Sequence, residues 1–178
     1  MNRLHTLDIN QASGETADMF ASIKKAVGKV PNAYLAIGSN APAVLGQVLQ
    51  TGAVLKQGEL SARELEAINL SVSEASACDY CLAAHSLTGK MAGYSVEQLH
   101  ELRAGGLSGD AKIDALVKFA LTLVKTSGTL PAQAVESVKQ AGYSDRQIVE
   151  AMLAVSAILF TNMFNRVNDT VVDFPKAP

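Results

Sequence analysis

The chain has 178 residues, a length that suits one domain with a sizeable core. Its formal net charge is −2, and it has neither a basic run nor the aromatic pattern of RNA-binding proteins, so we expect no nucleic-acid partner. The N-terminal segment MNRLHTLDIN lacks the apolar stretch of a secretory signal, and the longest largely apolar run, 151–160, is too short to span a bilayer. We therefore expect a cytoplasmic protein with no membrane partner.

Helix signals recur in the first half of the chain, and strand signals do not. Apolar residues fall at helical spacing from Gly14 to Val27, and Gly28 can end that helix. Further helices are predicted from Pro31, over 41–57, over 61–75 and from the CDYC segment to about Gly93. Ser61 with Glu64 forms a capping-box pattern at the start of the fourth of these helices.

The second half continues the helical pattern, which predicts an all-α fold. Capping residues predict helices that start near Ser95, Asp110 and Ser144, and a shorter helix follows Pro131. The last helix, predicted from Asp145 to about Asn165, is apolar nearly all round in its middle and should be buried.

Two local features of the sequence remain open. AGYS occurs at 92–95 and again at 141–144, between a helix end and a capping box each time, which fits either a duplicated helical hairpin or two uses of one turn. The tail 169–178 has no helical pattern, so we expect it to be frayed or to lie on a neighbouring subunit. No linker is visible, and residues 1–178 are predicted to form a single domain.

The segment CDYCLAAH, residues 78–85, holds both cysteines and one of the three histidines. On a helix, residues three and four apart lie on the same face, which brings together Cys78, Cys81 and His85. A cysteine in the first turn would be stabilised as a thiolate by unpaired backbone N–H groups and the helix dipole. A histidine one turn further on can accept the thiol proton or pair with the thiolate.

Such a dithiol suits a redox cycle. A thiolate attacks the O–O bond of a peroxide and becomes a sulfenic acid, which a second thiol condenses to a disulfide. A reductant then resets the pair. A cytoplasmic thiol pair is therefore expected to be catalytic, redox-active or metal-binding rather than a structural disulfide.

The preceding predicted helix carries the acidic residues Glu66 and Glu74. Glu66 lies on a polar stripe of an otherwise apolar helix, where a carboxylate could orient His85 or relay its proton. Spacing alone does not choose between the two glutamates.

The pattern Glu66, eleven residues, Cys78-x-Tyr80-Cys81, three residues, His85 resembles the signature of the alkylhydroperoxidase AhpD-like family, within the carboxymuconolactone decarboxylase superfamily. The resemblance implies an oligomeric AhpD-like helical domain that works as a trimer or hexamer. It also implies an antioxidant peroxidase that reduces hydroperoxides with electrons from an unknown thiol reductant protein and needs no cofactor. The redox motif is predicted to span 66–85.

The resemblance also implies the residue roles. Cys81 would be the thiol that attacks peroxide, Cys78 the resolving thiol, His85 the base near Cys81, and Glu66 the outer member of the proton relay. The best-studied branch of the family has His at the position of Tyr80. The peroxidase-related branch commonly has Tyr there, as this sequence does. A phenol is a poor base near neutral pH, so we assign Tyr80 to the substrate pocket.

Three alternatives compete with a peroxidase. The pair could serve a disulfide oxidoreductase or a redox sensor that does not turn over peroxide. It could also be inert in a helical scaffold. A metal site is disfavoured, because structural zinc usually takes two separated ligand pairs and the sequence offers one Cys pair and a single nearby His.

Overall fold

The computed structural model describes residues 2–178, and its regular structure there is helical, as the sequence predicts. A short 3-10 turn at Ile9–Gln11 precedes nine α-helices within these residues. They are α1 (Gly14–Val27), α2 (Asn32–Asn40), α3 (Pro42–Lys56), α4 (Ala62–Ala75), α5 (Asp79–Met91), α6 (Val96–Arg103), α7 (Ala111–Thr126), α8 (Ala132–Gln140) and α9 (Asp145–Asn168).

Side-chain caps set the starts of α4, α6 and α9. Ser61, Ser95 and Ser144 each accept a hydrogen bond from the backbone N–H three residues on, and the Glu or Gln at that position accepts one in return. Each box satisfies two backbone donors that the helix leaves unpaired, which stabilises the helix start by about 1 kcal/mol.

Helix α4 lies at the centre of the bundle and packs against α5, α6, α7 and α9. Its fully buried side chains include Ala67, Ile68, Leu70 and Val72. Helix α5 starts directly after α4 and packs against both α4 and α9. The first residues of α5 are therefore held deep in the protein.

Helix α9 extends three residues past its predicted end and packs against α2, α3, α4, α5 and α7. By length and composition alone it could span a membrane, a test that core helices of soluble proteins also pass. Within this single chain the expected burial applies to one face of α9. One stripe of apolar side chains on α9 faces outward, and it contains Val149, Met152, Leu153, Met163 and Val167.

The two AGYS segments occupy equivalent places in two similar helical units. In the first unit the Arg63 guanidinium lies 4.1 Å from the centre of the Tyr94 ring, and in the second the Lys112 ammonium lies 4.5 Å from that of Tyr143. Each cation is the second residue of its helix, α4 or α7, and the separation from cation to tyrosine is the same in both units. The correspondence therefore extends past four residues and favours a duplicated helical unit.

The C-terminal tail is hydrogen-bonded to its own chain, so the expectation that it is frayed was wrong, and its contact with a neighbouring subunit stays a prediction. Asp173 accepts hydrogen bonds from Lys29 and Tyr80, while the Val171 carbonyl accepts one from Asn32 at 2.9 Å. The tail therefore folds back over its own chain, because the Asp173 carboxylate accepts hydrogen bonds from three donors that lie far away in sequence, on Lys29, Asn32 and Tyr80.

Candidate active site

The turn between α4 and α5 places Cys78 directly before the first residue of α5. Ala77 adopts the left-handed conformation with φ 49°, and the Cys78 N–H donates to the Ser73 carbonyl at 3.0 Å. This pairing is the usual closure of a helix C-terminus, with Ala where Gly is more common. Cys78 is therefore the N-cap of α5 rather than a residue of its first turn, and its sulfur accepts the Cys81 N–H at 3.4 Å.

The two thiols are free and buried, with Cys78 1% and Cys81 3% exposed. The Cys81 thiol donates a hydrogen bond to the Cys78 sulfur, and this bond with the Cys81 backbone N–H and the charge of His85 lowers the pKa of Cys78 to about 7 despite burial. The same shared proton, together with burial, raises the pKa of Cys81. The two sulfurs therefore titrate as a coupled pair, and the first thiolate charge belongs to the pair rather than to one residue.

His85 and Glu66 form a direct pair, with 2.8 Å between His85 Nδ1 and Glu66 Oε2. Thr88 donates to the same carboxylate oxygen at 2.8 Å, and Asn69 donates to the other at 3.4 Å. Burial raises the pKa of Glu66, but the His85 charge and these hydrogen bonds outweigh it and hold the pKa below its ordinary value. The carboxylate therefore stays ionised and fixes the imidazole.

The structure separates the two glutamates that spacing alone could not. Glu74 lies 2.6 Å from the Nε of Arg103, on α6, and does not pair with His85. Of the two, only Glu66 on α4 reaches the CDYC motif, as the resemblance implies.

The histidine and glutamate keep contact with solvent, whereas the sulfurs do not. Their side chains are 23% exposed for His85 and 17% for Glu66. The solvent contact of the site therefore lies at the His85–Glu66 pair rather than at the sulfurs.

Tyr80 points toward the tail and α2. Its hydroxyl donates to Asp173 Oδ1 at 2.8 Å and accepts the Ala33 N–H at 3.1 Å. Burial, with the neighbouring Asp173 carboxylate, raises the pKa of Tyr80. The phenol therefore stays neutral, and its ring packs edge-on against Phe174, with the ring centres 5.5 Å apart.

Three polar residues near the sulfurs had no assigned role in the motif. Asn165 donates from Nδ2 to Cys81 Sγ at 3.3 Å, and a hydrogen bond from Thr161 also lowers the pKa of Cys81. The pKa of Tyr34 is raised by burial and by the nearby Cys81 and Glu66 charges. For Asn165 the sequence contains one signal, the polar residues that follow the apolar run 151–160, but capping and subunit contacts are an adequate explanation of that cluster.

The part of the chain that the structure describes contains no cluster of side chains arranged as metal ligands. Nowhere in residues 2–178 do three or more His, Cys, Asp or Glu side chains converge as metal ligands. His85 offers Nδ1 to Glu66, and the two thiols offer hydrogen bonds to each other.

Comparison with protein families finds the carboxymuconolactone decarboxylase family model over residues 42–122, which include α4 and α5. No curated protein matches the sequence. The AhpD core of an uncharacterized peroxidase-related protein from Ralstonia eutropha JMP134 has a TM-score of 0.87 at 18% identity, with 97% of this chain and 92% of that chain covered.

Two further solved structures share the fold. An uncharacterized peroxidase-related protein from Silicibacter sp. TM1040 has a TM-score of 0.79 at 23% identity, covering 96% of this chain and 94% of that one. The debrominase Bmp8, solved with 2,3,4-tribromopyrrole, has a TM-score of 0.79 at 15% identity, with 97% of this chain and 92% of that chain covered. The family model therefore matches the region that contains α4 and α5, and these solved structures share the fold over nearly the whole chain.

Proposed function

We propose that this protein is a thiol-dependent hydroperoxide reductase whose redox centre is the Cys78–Cys81 pair. The observation that carries the proposal is the arrangement of two free, buried thiols at the start of α5 and the His85–Glu66 pair on the same helix and its neighbour. In this proposal Cys81 is the nucleophile, Cys78 is the resolving thiol, and His85 with Glu66 forms the proton relay. Dithiol peroxide reduction needs these three parts.

The reaction begins with one proton on the two sulfurs and one on His85. The proton between the sulfurs moves to Cys78, and the Cys81 thiolate attacks the terminal oxygen of the hydroperoxide. The O–O bond breaks, the alkoxide takes the proton of His85 and leaves as an alcohol, and Cys81 becomes a sulfenic acid.

The second half of the cycle forms the disulfide. Neutral His85 removes the proton of Cys78, and the new thiolate attacks the Cys81 sulfur. Hydroxide leaves and takes the proton back from His85 as water. The site has then lost two electrons from the sulfurs and two protons, one from the sulfur pair and one from His85, and an external thiol reductant protein returns the electrons while the protons come back from water.

Burial of the sulfurs favours a small oxidant over a protein disulfide. With exposures of 1% and 3%, neither sulfur can be reached by a folded protein without local opening, whereas a hydroperoxide presents a two-atom reactive group. The same burial means that the thiol reductant protein reaches the disulfide only after local opening, so the alternative of a disulfide oxidoreductase or redox sensor is separated from a peroxidase by peroxide turnover and not by exposure.

An intact-mass measurement tests the proposal. Reduced, metal-free protein is treated with one equivalent of cumene hydroperoxide, and we expect prompt loss of two hydrogens with both thiols consumed. Unchanged mass with both thiols free would refute peroxidase function.

A parallel sample tests the chemistry named for a structural neighbour. It receives 2,3,4-tribromopyrrole, on which a dithiol could act by replacing bromine with hydrogen and forming the same disulfide. Disulfide formation with the pyrrole but not with the hydroperoxide would point to dehalogenation instead.

We further propose that the protein works as a homo-oligomer in the cytoplasm. The outward apolar stripe of α9 supports self-association, because α9 already packs along its length inside the bundle and its exposed side chains would otherwise face water. A trimer or hexamer is the assembly that the family resemblance implies. A reducing compartment suits two thiols that are free and must be returned to that state.

A further inference from the structure

Asn165 on α9 lies against the sulfur of Cys81 and has one unused polar atom. Its amide Nδ2 donates to Cys81 Sγ at 3.3 Å, and the residue is 4% exposed. Its Oδ1 is buried and has no hydrogen-bond partner among the described residues.

A buried acceptor without a partner is costly. Leaving one unsatisfied typically costs about 1–3 kcal/mol, so natural proteins retain few of them, and those retained often serve a ligand or a reaction. Two neighbours on the same helix lack this feature, because Asn162 bonds Ser73 and the Val72 carbonyl, and Asn168 bonds Thr170 and the backbone of Leu4. Asn165 is thus the α9 asparagine with a free acceptor beside a reacting atom.

We propose that Asn165 is a catalytic residue that binds the reacting O–H group at Cys81. Its N–H stabilises the Cys81 thiolate, and its Oδ1 accepts a hydrogen bond from the O–H of the incoming hydroperoxide and then from the Cys81 sulfenic acid. This inference rests on the proposed peroxidase function.

The chemistry of the attack explains why the same acceptor serves both species. The thiolate attacks the terminal oxygen of R–O–O–H, which carries the hydrogen, and that O–H remains attached as the new S–O bond forms and the O–O bond breaks. The acceptor therefore keeps one partner from substrate to intermediate. A dialkyl peroxide has no such hydrogen, so Asn165 selects hydroperoxides as a substrate class.

The test compares two electrophiles at one sulfur. In a Cys78→Ser background only Cys81 reacts, and its rates with cumene hydroperoxide and with iodoacetamide are measured by intact mass. Both reactions need the thiolate, but only the hydroperoxide has an O–H for Oδ1. We expect Asn165→Leu to lower the ratio of the hydroperoxide rate to the iodoacetamide rate by about tenfold, the effect of losing one hydrogen bond in the transition state.

Matched variants separate this role from packing. Asn165→Asp keeps an acceptor and should lower both rates while it preserves their ratio, and Asn162→Ala, at an equally buried asparagine, should leave the ratio unchanged. Asn165→Ala replaces the Leu variant if circular dichroism shows that the latter is unfolded.

The outcomes are distinct. An unchanged ratio in the variant that removes the amide, or an equal fall in Asn162→Ala, would overturn the role of Asn165 while peroxidase function stands. If the Cys78→Ser protein is alkylated but does not react with cumene hydroperoxide, the proposed function fails and the role of Asn165 fails with it.

Discussion

The ionisation of the two cysteines is coupled, because each sulfur lies within hydrogen-bond reach of the other. Cys78 gains its low pKa first from the thiol hydrogen bond of Cys81, with help from the backbone N–H of Cys81 and the charge of His85. The apparent pKa values therefore belong to the pair of thiols. Substitution of one cysteine should shift the apparent pKa of the other.

The pH dependence of alkylation tests this coupling. In the wild type, the iodoacetamide rate should rise with pH through an apparent pKa of about 7, because the thiolate rather than the thiol is the nucleophile. In Cys81→Ala the donated hydrogen bond is lost, and the midpoint should move to higher pH. A midpoint that stays at about 7 in this variant would show that the helix N-terminus and His85 suffice.

Glu66 and Glu74 offer a matched pair for the proton relay. Glu66→Gln removes the carboxylate that fixes His85, and we expect the hydroperoxide rate to fall at least tenfold, at the low end for a positioned acid–base group. Glu74→Gln changes the same kind of residue on the same helix but breaks only the Arg103 pair. Equal losses in the two variants, measured by stopped-flow kinetics, would contradict a specific relay through Glu66.

The sequence predicts the members of this site that lie close together in the chain. Cys78, Cys81 and His85 are related by helical spacing, which is a local property. Asn165 and Tyr34 lie near Cys81 only because of tertiary packing. The periodicity of the sequence does not predict this proximity. Glu66 lies between these cases, because its helix was predictable and its direction toward His85 was not.

At the scale of the helices, α2 and α1 meet at a glycine that leaves no room for a methyl group. A Cβ at Gly38 would lie 2.7 Å from Phe20 Cε1 and 2.8 Å from Leu45 Cδ2, both fully buried side chains. Gly52, inside α3, has no atom within 4 Å of the equivalent position.

These two glycines should respond to alanine in opposite directions. Gly38→Ala should lower the free energy of unfolding by about 1–3 kcal/mol through overpacking. Gly52→Ala should raise it by about 0.5–1 kcal/mol, because alanine loses less backbone entropy in a helix. Urea denaturation checks both values, and a neutral Gly38→Ala would mean that Phe20 and Leu45 can move apart at little cost.

Helix boundaries were largely predictable because caps are local. Ser61, Ser95, Asp110 and Ser144 each bond a backbone N–H three residues away, and the sequence displays both partners. The tail escaped prediction because its partners, Lys29 and Tyr80, lie far away in the sequence and belong to other elements.

For the molecule as a whole, the two faces of α9 make different contacts. One face supplies Asn165 to the Cys81 sulfur, and the other presents the apolar stripe to solvent. If the stripe is an interface, assembly holds the active-site face of α9 in place, and loss of assembly should also slow peroxide reduction.

Two methionines allow this idea to be tested with one kind of substitution. Met163 lies in the α9 stripe and is 61% exposed, whereas Met91, at the end of α5 and away from the stripe, is 80% exposed. Met163→Glu would place a charge in an apolar interface and should convert the oligomer to a monomer in sedimentation velocity. Met91→Glu adds the same charge outside the stripe and should keep the wild-type assembly. A wild type that is monomeric at all concentrations, or a Met163→Glu protein that still assembles, would show that the α9 stripe does not join subunits.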